Sequence, residues 1–289
     1  MTFKELCRKV EELVHIPGVT SKVIGHSVLG QPIYAFKVGK CYGNKRPILI
    51  TAAIHAREWI TTLLLIELVK LYGDNTDKNC CGTCIWFVPL CNPDGVQIAL
   101  DGGSIFRNGK WRATGGPKPL WKANARQVDL NVNFDADWGK GAQNIQMPSS
   151  ENYIGEYPNS EPEVGVLIEF AQMIRPKIAI NYHSKGEVIY YGFESCNGKI
   201  TKRQLARSKE LAHILGKITG YAPIKTQNST GGFSDWLTLH MKIPAVTVEV
   251  GNDNFSHPIG VDQLPIILEQ NKKILVFFYS DDGLAKKVL

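Results

Sequence analysis

His55 and Glu58 stand three residues apart in HARE, where the apolar run PILITAAI passes into the helical pattern of REWITTLLLIELVKLYG. At that spacing an imidazole and a carboxylate can turn toward one point. His183 closes a second apolar run, KIAINYH. It completes a set of two histidines and one carboxylate, which suits a single Zn2+ ion and leaves the metal a position open for water. Glu249, in VTVEVG, is an acid inside an apolar strand, where carboxylates are almost never fully buried without a partner. Beside a metal-activated water such a group can take a proton and pass it to a leaving amine. The chemistry these four residues imply is metal-assisted hydrolysis.

The other histidines read as ordinary. His15 closes the first helix, where a cation suits the helix dipole; His26 lies in an edge strand, His213 and His240 on helices, and His257 in an exposed loop. Cys81 and Cys84 have C-x-x-C spacing, but no second pair or suitable histidine is near them in the chain, so buried or turn cysteines are expected rather than a structural zinc.

The elements that must hold these residues alternate. After a first amphipathic helix come SKVIGHSV and QPIYAFKVG, an edge hairpin, and then PILITAAI, apolar on both faces as a central strand must be. The helix REWITTLLLIELVKLYG ends at Gly73, and the strand CIWFVPL is closed by a turn at Asn92-Pro93-Asp94-Gly95. Residues 97–127 read as a long loop. Next come the helix EPEVGVLIEFAQMIRP, the strands KIAINYHS and EVIYYGF, the helices TKRQLARSKELAHILGKITG and GFSDWLTLHM, the strand PAVTVEVG and a last helix, VDQLPIILEQNKKILVFFYS. This order predicts an α/β sandwich with a largely parallel or mixed sheet. In such sheets ligands bind at the carboxyl ends of strands, where His55, His183 and Glu249 all fall.

The chain has 289 residues, 44% hydrophobic and 21% charged, a balance that excludes a disordered protein. No linker-like stretch divides it, so 1–289 is expected to be a single domain, with 1–29 as a helix and edge strand leading in. No run of about 20 apolar residues is present, and the start places Phe3, Leu6, Val10, Leu13 and Val14 on one helix face rather than in a signal peptide's apolar core. Seven cysteines, an odd count, fit reduced thiols and a cytoplasmic location. The net charge of +6 is spread along the chain and does not by itself argue for nucleic acid. Oligomeric state is not legible.

H-A-R-E-W-I, V-D-L-N-V-N-F, N-Y-H-S, G-G-F-S-D-W and T-V-E-V-G occur in the order and approximate spacing of the zinc carboxypeptidases related to pancreatic carboxypeptidase A, and the resemblance covers residues 30–280. It implies a single-domain α/β/α sandwich with a mixed central sheet of about eight strands. It implies His55, Glu58 and His183 as ligands of one Zn2+ ion and Glu249 as general base and acid. By the same likeness Asp129 hydrogen-bonds a ligating histidine, Arg126 steadies the oxyanion with Arg112 as the alternative, and Arg57 and Asn131 contact substrate.

Two departures accompany this resemblance. The family's Asn-Arg pair, which grips a substrate's terminal carboxylate, reads Asn131-Val132, so the charge-assisted clamp is missing. The family's mobile tyrosine is replaced by Gln227, and Ser234 stands where side-chain preference is set. W-K-A-N-A-R-x-V-D-L-N, H-S-K-G-E-V-I-Y and G-G-F-S-D-W look most like the bacterial branch that cleaves γ-D-glutamyl bonds to diaminopimelate in cell-wall peptides. That likeness implies a polar pocket, with Ser234, Lys185 and Glu187 as contacts, and soluble wall-derived peptides as substrate, with neither nucleic acid nor membrane as partner. The alternatives are a general metallocarboxypeptidase, a deacylase of N-acyl amino acids, and a peptide-binding module that has lost the chemistry.

Overall fold

The computed structural model describes residues 1–43, 45–73, 83–193 and 200–279. An edge hairpin, β1 (Val19–His26) and β2 (Pro32–Val38), opens an eight-stranded mixed sheet. It continues through β4 (Ile85–Val88), β3 (Ile48–Ala52), β7 (Ile178–His183), β10 (Ala245–Glu249), β8 (Val188–Tyr191) and β9 (Ala222–Lys225). The central β4, β3, β7 and β10 run parallel, and β2 and β8 flank them antiparallel. A small separate hairpin joins β5 (Ser104–Arg107) to β6 (Lys110–Ala113).

Helices cover both faces because successive strand residues point to opposite sides. Ile48 and Ile50, Ile178 and Ile180, Val246 and Val248 pack with α1 (Phe3–Glu11), α2 (Ile60–Gly73), α3 (Pro93–Leu100), α5 (Lys202–Thr219), α7 (Leu264–Asn271) and α8 (Lys273–Tyr279). Leu49, Ala179 and Ala245 face α4 (Pro162–Ile174) and α6 (Phe233–Trp236) instead. On this second face the chemistry changes in step along the strands. Leu49, Ala179 and Ala245 pair across the sheet, the next row is Thr51, Asn181 and Thr247, and the row after it brings His183 beside Glu249.

Asn92-Pro93-Asp94-Gly95 starts α3 instead of forming an isolated turn: the Asn92 side chain accepts the Gly95 amide and Pro93 sits in the first turn, where a missing N–H is harmless. The stretch 97–127 is not all loop. It holds the end of α3 and the β5–β6 hairpin, whose Asn108-Gly109 turn has positive φ at both residues, as a tight hairpin turn requires. The last helix is broken at Lys272, and β9 adds a strand the sequence reading lacked. Cys41 and Cys84 form a disulfide, which corrects the expectation of reduced thiols for that pair and removes Cys84 from any zinc site. Cys7 and Cys91 are free, while Cys80, Cys81 and Cys196 lie outside the described residues. Among the described residues no helix is long and apolar enough to cross a membrane.

Three buried carboxylates, Asp94, Glu161 and Glu163, gather where the β1–β2 turn meets the start of α4. Asn124 donates to both glutamates at 2.7 and 3.2 Å, and Glu163 also accepts the Val28 amide at 3.1 Å. Burial, with Asp94 and Glu161 nearby, pushes the Glu163 carboxyl from its ordinary 4.5 up to about 7. The folded chain therefore keeps a proton there that the unfolded chain has lost, and stability falls as pH rises between those two values, by roughly 3 kcal/mol at most. Urea unfolding at pH 5 and pH 8 should show a smaller loss for Glu163→Gln than for the wild type. Equal losses would mean that Glu163 ionises alike in both states.

Candidate active site and metal centre

His55 and Glu58 sit on the short turn between β3 and α2, with Ala56–Glu58 as a 3-10 segment. The turn is pinned from three sides: Ala53 donates to the Thr61 hydroxyl, that hydroxyl donates to the Glu58 carbonyl, and the Ala56 amide reaches the Lys122 carbonyl at 3.1 Å. His183 arrives at the end of β7, and the Ser184 amide donates to Glu58 Oε2 at 3.2 Å.

The three side chains converge. His55 Nδ1 lies 2.9 Å from Glu58 Oε1, His183 Nδ1 lies 3.1 Å from Glu58 Oε2, and the two Nδ1 atoms are 3.0 Å apart. All three are buried, and their ligating atoms fall within 4.8 Å of one another, the one such group among the described residues. Two imidazole nitrogens aimed at the same point and at a carboxylate fit a shared cation. Ligands at about 2.0–2.1 Å around one tetrahedral Zn2+ stand about 3.3 Å apart, close to the separations seen here. The residues therefore fit a bound zinc ion.

Behind His55 stands a charged pair. Asp129 is fully buried; its Oδ1 is 3.3 Å from His55 Nε2 and its Oδ2 is 2.8 Å from Lys122 Nζ. Against the effect of burial, Lys122 and His55 hold the Asp129 carboxyl far below the ordinary range. Burial lowers the Lys122 ammonium, but Asp129 and Glu58 more than offset it, so Lys122 stays a cation. Glu249 pairs with His183 across β10 and β7. Burial raises its carboxyl, with Glu58 adding to the rise and His183, Lys122 and Arg57 opposing it.

A cavity of about 520 Å³ opens from this cluster, with His55, His183, Lys122 and Glu249 at its metal end. Asn131, Val132, Gln227 and Ser234 line it, as do Asp235 and Thr247. Its floor, at Ser234 and Thr247, rests on a hydrogen-bonded row: Thr51 donates to Asn181 at 2.6 Å, Asn181 to Ser234 at 2.7 Å, and Ser234 and Thr247 share a bond of 3.0 Å. Asn131 Oδ1 accepts the Phe233 amide, which ties the asparagine to the start of α6. Asp235 caps the same helix through the Gly232 amide, and burial pushes its carboxyl up to about 7.

Other expected residues lie elsewhere. Arg126 is 45% exposed, points toward Glu161 at 4.0 Å and is absent from the cavity wall. Its backbone belongs to the turn capped by Asn124, whose Oδ1 accepts the Arg126 and Val128 amides. Lys122, four residues earlier, is the cation that lines the cavity beside His55, His183 and Glu249. Arg112 is exposed on β6. Arg57 pairs with Glu151 at 3.1 Å, and Lys185 donates to the Asp253 backbone carbonyl and to its Oδ1, each at 2.7 Å. Glu187 accepts from Gln270 and Asn252; none of these three lines the cavity. His257 is half-buried rather than exposed, with an unpartnered Nδ1. Burial lowers its pKa, and Glu58, Arg57, Lys185 and His55 are the charges around it. The sequence reading missed Lys122, Asn181, Asp235 and Thr247. The alternating Thr, Asn and Thr within three apolar strands was the signal for the floor.

A two-histidine, one-glutamate cluster at the carboxyl edge of a helix-covered mixed sheet, with a second glutamate beside it, is a donor set that fits a zinc ion and the chemistry of metal-assisted hydrolysis. Residues 8–273 match the family described as zinc carboxypeptidase, and the chain belongs to that family. It is 30% identical over 271 residues to gamma-D-glutamyl-L-diamino acid endopeptidase 1 of Lysinibacillus sphaericus, the match covering 88% of this chain but only 65% of that relative. It is also 30% identical to carboxypeptidase A1 of Bos taurus, over 76% of this chain and 54% of the other. Among solved structures, bovine thrombin-activatable fibrinolysis inhibitor superposes with a TM-score of 0.77 at 20% identity, covering 100% of this chain and 97% of that one. The murein-tripeptide amidase MpaA of Escherichia coli O157 gives 0.62 at 21% identity, covering 93% and 94%. These two likenesses concern the fold.

Loss of either imidazole should abolish stoichiometric zinc in dialysed protein, measured by atomic absorption. Asp129→Ala should weaken zinc binding by about 10- to 100-fold, as loss of a carboxylate behind a ligating histidine does. Arg126→Ala should leave it unchanged; an equal effect at both positions would remove Asp129 from that role.

Proposed function

We propose that this chain, over 1–289 as one domain, is a zinc-dependent peptidase that hydrolyses γ-D-glutamyl bonds to a diamino acid in soluble peptides derived from bacterial cell wall. The observation that carries the specificity is the cavity. Among its described lining residues the one Lys or Arg is Lys122, at the metal end, and Val132 stands where the family's carboxylate-gripping arginine would be. Hydroxyls, amides and the acid Asp235 form the rest of the polar lining. Such a wall does not require a terminal carboxylate on the substrate, and it suits a polar side chain bearing an amine better than an aromatic one. The name of the Lysinibacillus relative points to the same bond type.

His55, Glu58 and His183 are the proposed ligands of one Zn2+ ion, which when bound supplies Lewis acidity to the scissile carbonyl and to water. Glu249 then takes a proton from the attacking water and delivers it to the leaving amine. Its raised affinity for protons in this buried setting suits the delivery, while the positive charge nearby keeps it able to ionise. The Lys122 ammonium, fixed by Asp129, balances negative charge growing on the carbonyl oxygen. Asn131, Gln227 and Ser234 contact the residue on the leaving side. For location, the Cys41–Cys84 bond favours an oxidising compartment over the cytoplasm expected from the cysteine count.

Zinc-loaded protein should release diaminopimelate from L-Ala-γ-D-Glu-diaminopimelate, and a chelator should stop it. Cleavage of an ordinary C-terminal peptide at a similar rate would instead establish a general carboxypeptidase. Glu249→Gln should keep zinc and lose turnover by at least about 100-fold. Lys122→Met should lower kcat by about 100- to 1000-fold, and Arg126→Met should not; the reverse pattern would return the oxyanion role to Arg126.

A further inference from the structure

Between Asp101 and Asp129 the chain has no acidic residue and six basic ones, Arg107, Lys110, Arg112, Lys118, Lys122 and Arg126. Those six equal the whole net charge of +6, so the rest of the chain balances to zero. Lys122 is consumed by Asp129 and Arg126 faces Glu161. The other four are exposed, and none has an ion-pair partner among the described residues. Three of them ride on the β5–β6 hairpin, which stands outside the central sheet.

The hairpin also carries an exposed aromatic pair. Phe106 and Trp111 are directly opposed across the two strands, their rings 5.3 Å apart and edge to face, and they are 39% and 46% exposed. An aromatic pair of this size left open on a water-facing hairpin is an apolar platform with a basic border. The platform is held in place at its base. The Phe106 amide donates to the Ala125 carbonyl at 2.8 Å, and Gln127 Nε2 donates to the Phe106 carbonyl at 2.7 Å. The segment so gripped is the one that supplies Lys122, whose carbonyl binds the turn bearing His55 and Glu58. Leu120, 62% exposed, continues the apolar surface, and its carbonyl accepts from Arg57 at 3.5 Å.

We propose that the β5–β6 hairpin docks the glycan end of a sugar-linked peptide substrate. The apolar face of a sugar ring would rest on Phe106 and Trp111, with Arg107, Lys110 and Lys118 meeting carboxylates of the peptide. Charge complementarity argues for an anionic partner, since a γ-linked glutamyl unit leaves a free carboxylate in the chain. The geometry argues against nucleic acid, which favours a series of stacking platforms along a basic groove rather than one pair. This inference rests on the peptidase reading for the identity of the ligand, but binding and cleavage can be measured apart.

The test compares the wild-type KM for L-Ala-γ-D-Glu-diaminopimelate with that for the same tripeptide carrying a disaccharide on its amino end. The sugar-linked form should have a KM lower by on the order of tenfold. The double variant Phe106→Ala, Trp111→Ala should erase that difference while its kinetics on the sugar-free tripeptide and its thermal midpoint stay at wild-type values. Arg107→Gln with Lys110→Gln should flatten the salt dependence of KM for the sugar-linked form. Equal KM values in the wild type, or a preference that survives the aromatic variant, overturns the proposal. So does an aromatic variant that loses affinity for a single-stranded oligonucleotide while keeping the sugar preference. If neither substrate is cleaved, yet the wild type and not the variant binds the fluorescent sugar-linked peptide, the hairpin reading stands and the peptidase reading fails.

Discussion

Two imidazole nitrogens 3.0 Å apart, both facing one buried carboxylate, impose the tightest constraint in this molecule. Each Glu58 oxygen reaches one ring nitrogen, yet the two nitrogens also face each other, an arrangement that suits three donors sharing one cation. The surrounding structure answers that constraint. Asp129 Oδ1 stands 3.3 Å from the far ring nitrogen of His55, and Lys122 behind Asp129 keeps that carboxylate ionised. Each charge in the series is held by the next, and the series ends in the Lys122 side chain, which is 16% exposed and so still meets solvent at the cavity.

The sheet makes this possible by graded registry. On the face covered by α4 and α6 the central strands begin with Leu49, Ala179 and Ala245, small or apolar residues that let the helices approach closely. Two residues further along come Thr51, Asn181 and Thr247; Thr51 bonds Asn181, and Asn181 and Thr247 both bond Ser234. Two further still come His183 and Glu249. A shift of one residue in any of these strands would send all three classes to the opposite face. Parallel pairing through β4, β3, β7 and β10 is therefore what brings residues from distant parts of the chain to one edge.

Much of this was open to reading in the sequence. Strand ends are marked by the change from apolar to polar residues, which is why His55, His183 and Glu249 stood out, and the edge hairpin, central strands and long helices follow their periodicities. Tertiary decisions were less legible. Whether Asn92-Pro93-Asp94-Gly95 turns or starts a helix depends on the residues after it, and Val96, Ile98 and Ala99 find core to pack on only once the sheet exists. Asn108-Gly109 was a hairpin signal overlooked among glycines and cations. The choice between Lys122 and Arg126 lay beyond sequence spacing. In space the Asn124 cap turns the chain so that one cation reaches Asp129 and the other Glu161. The Cys41–Cys84 bond joins residues 43 apart and could not be deduced from a count.

The placement of charge bears on how the scaffold changes its substrate. A cation at the far end of the cavity would select ligands by a terminal carboxylate, and Val132 removes it without altering the sheet, the ligands or Asn131's bond to α6. What remains there is Asp235, buried and inclined to keep its proton, so the far wall offers hydrogen bonds instead of fixed charge. Positive charge is concentrated instead between residues 102 and 128, on an external hairpin and on the segment leading back to Lys122. Exposed cations act over roughly a Debye length of 8 Å at physiological salt, whereas a buried one acts on a single contact. Under the proposed function, charge moved outward would exchange a strict demand on the last residue of the substrate for a broader attraction to an anionic chain that extends beyond the cleft.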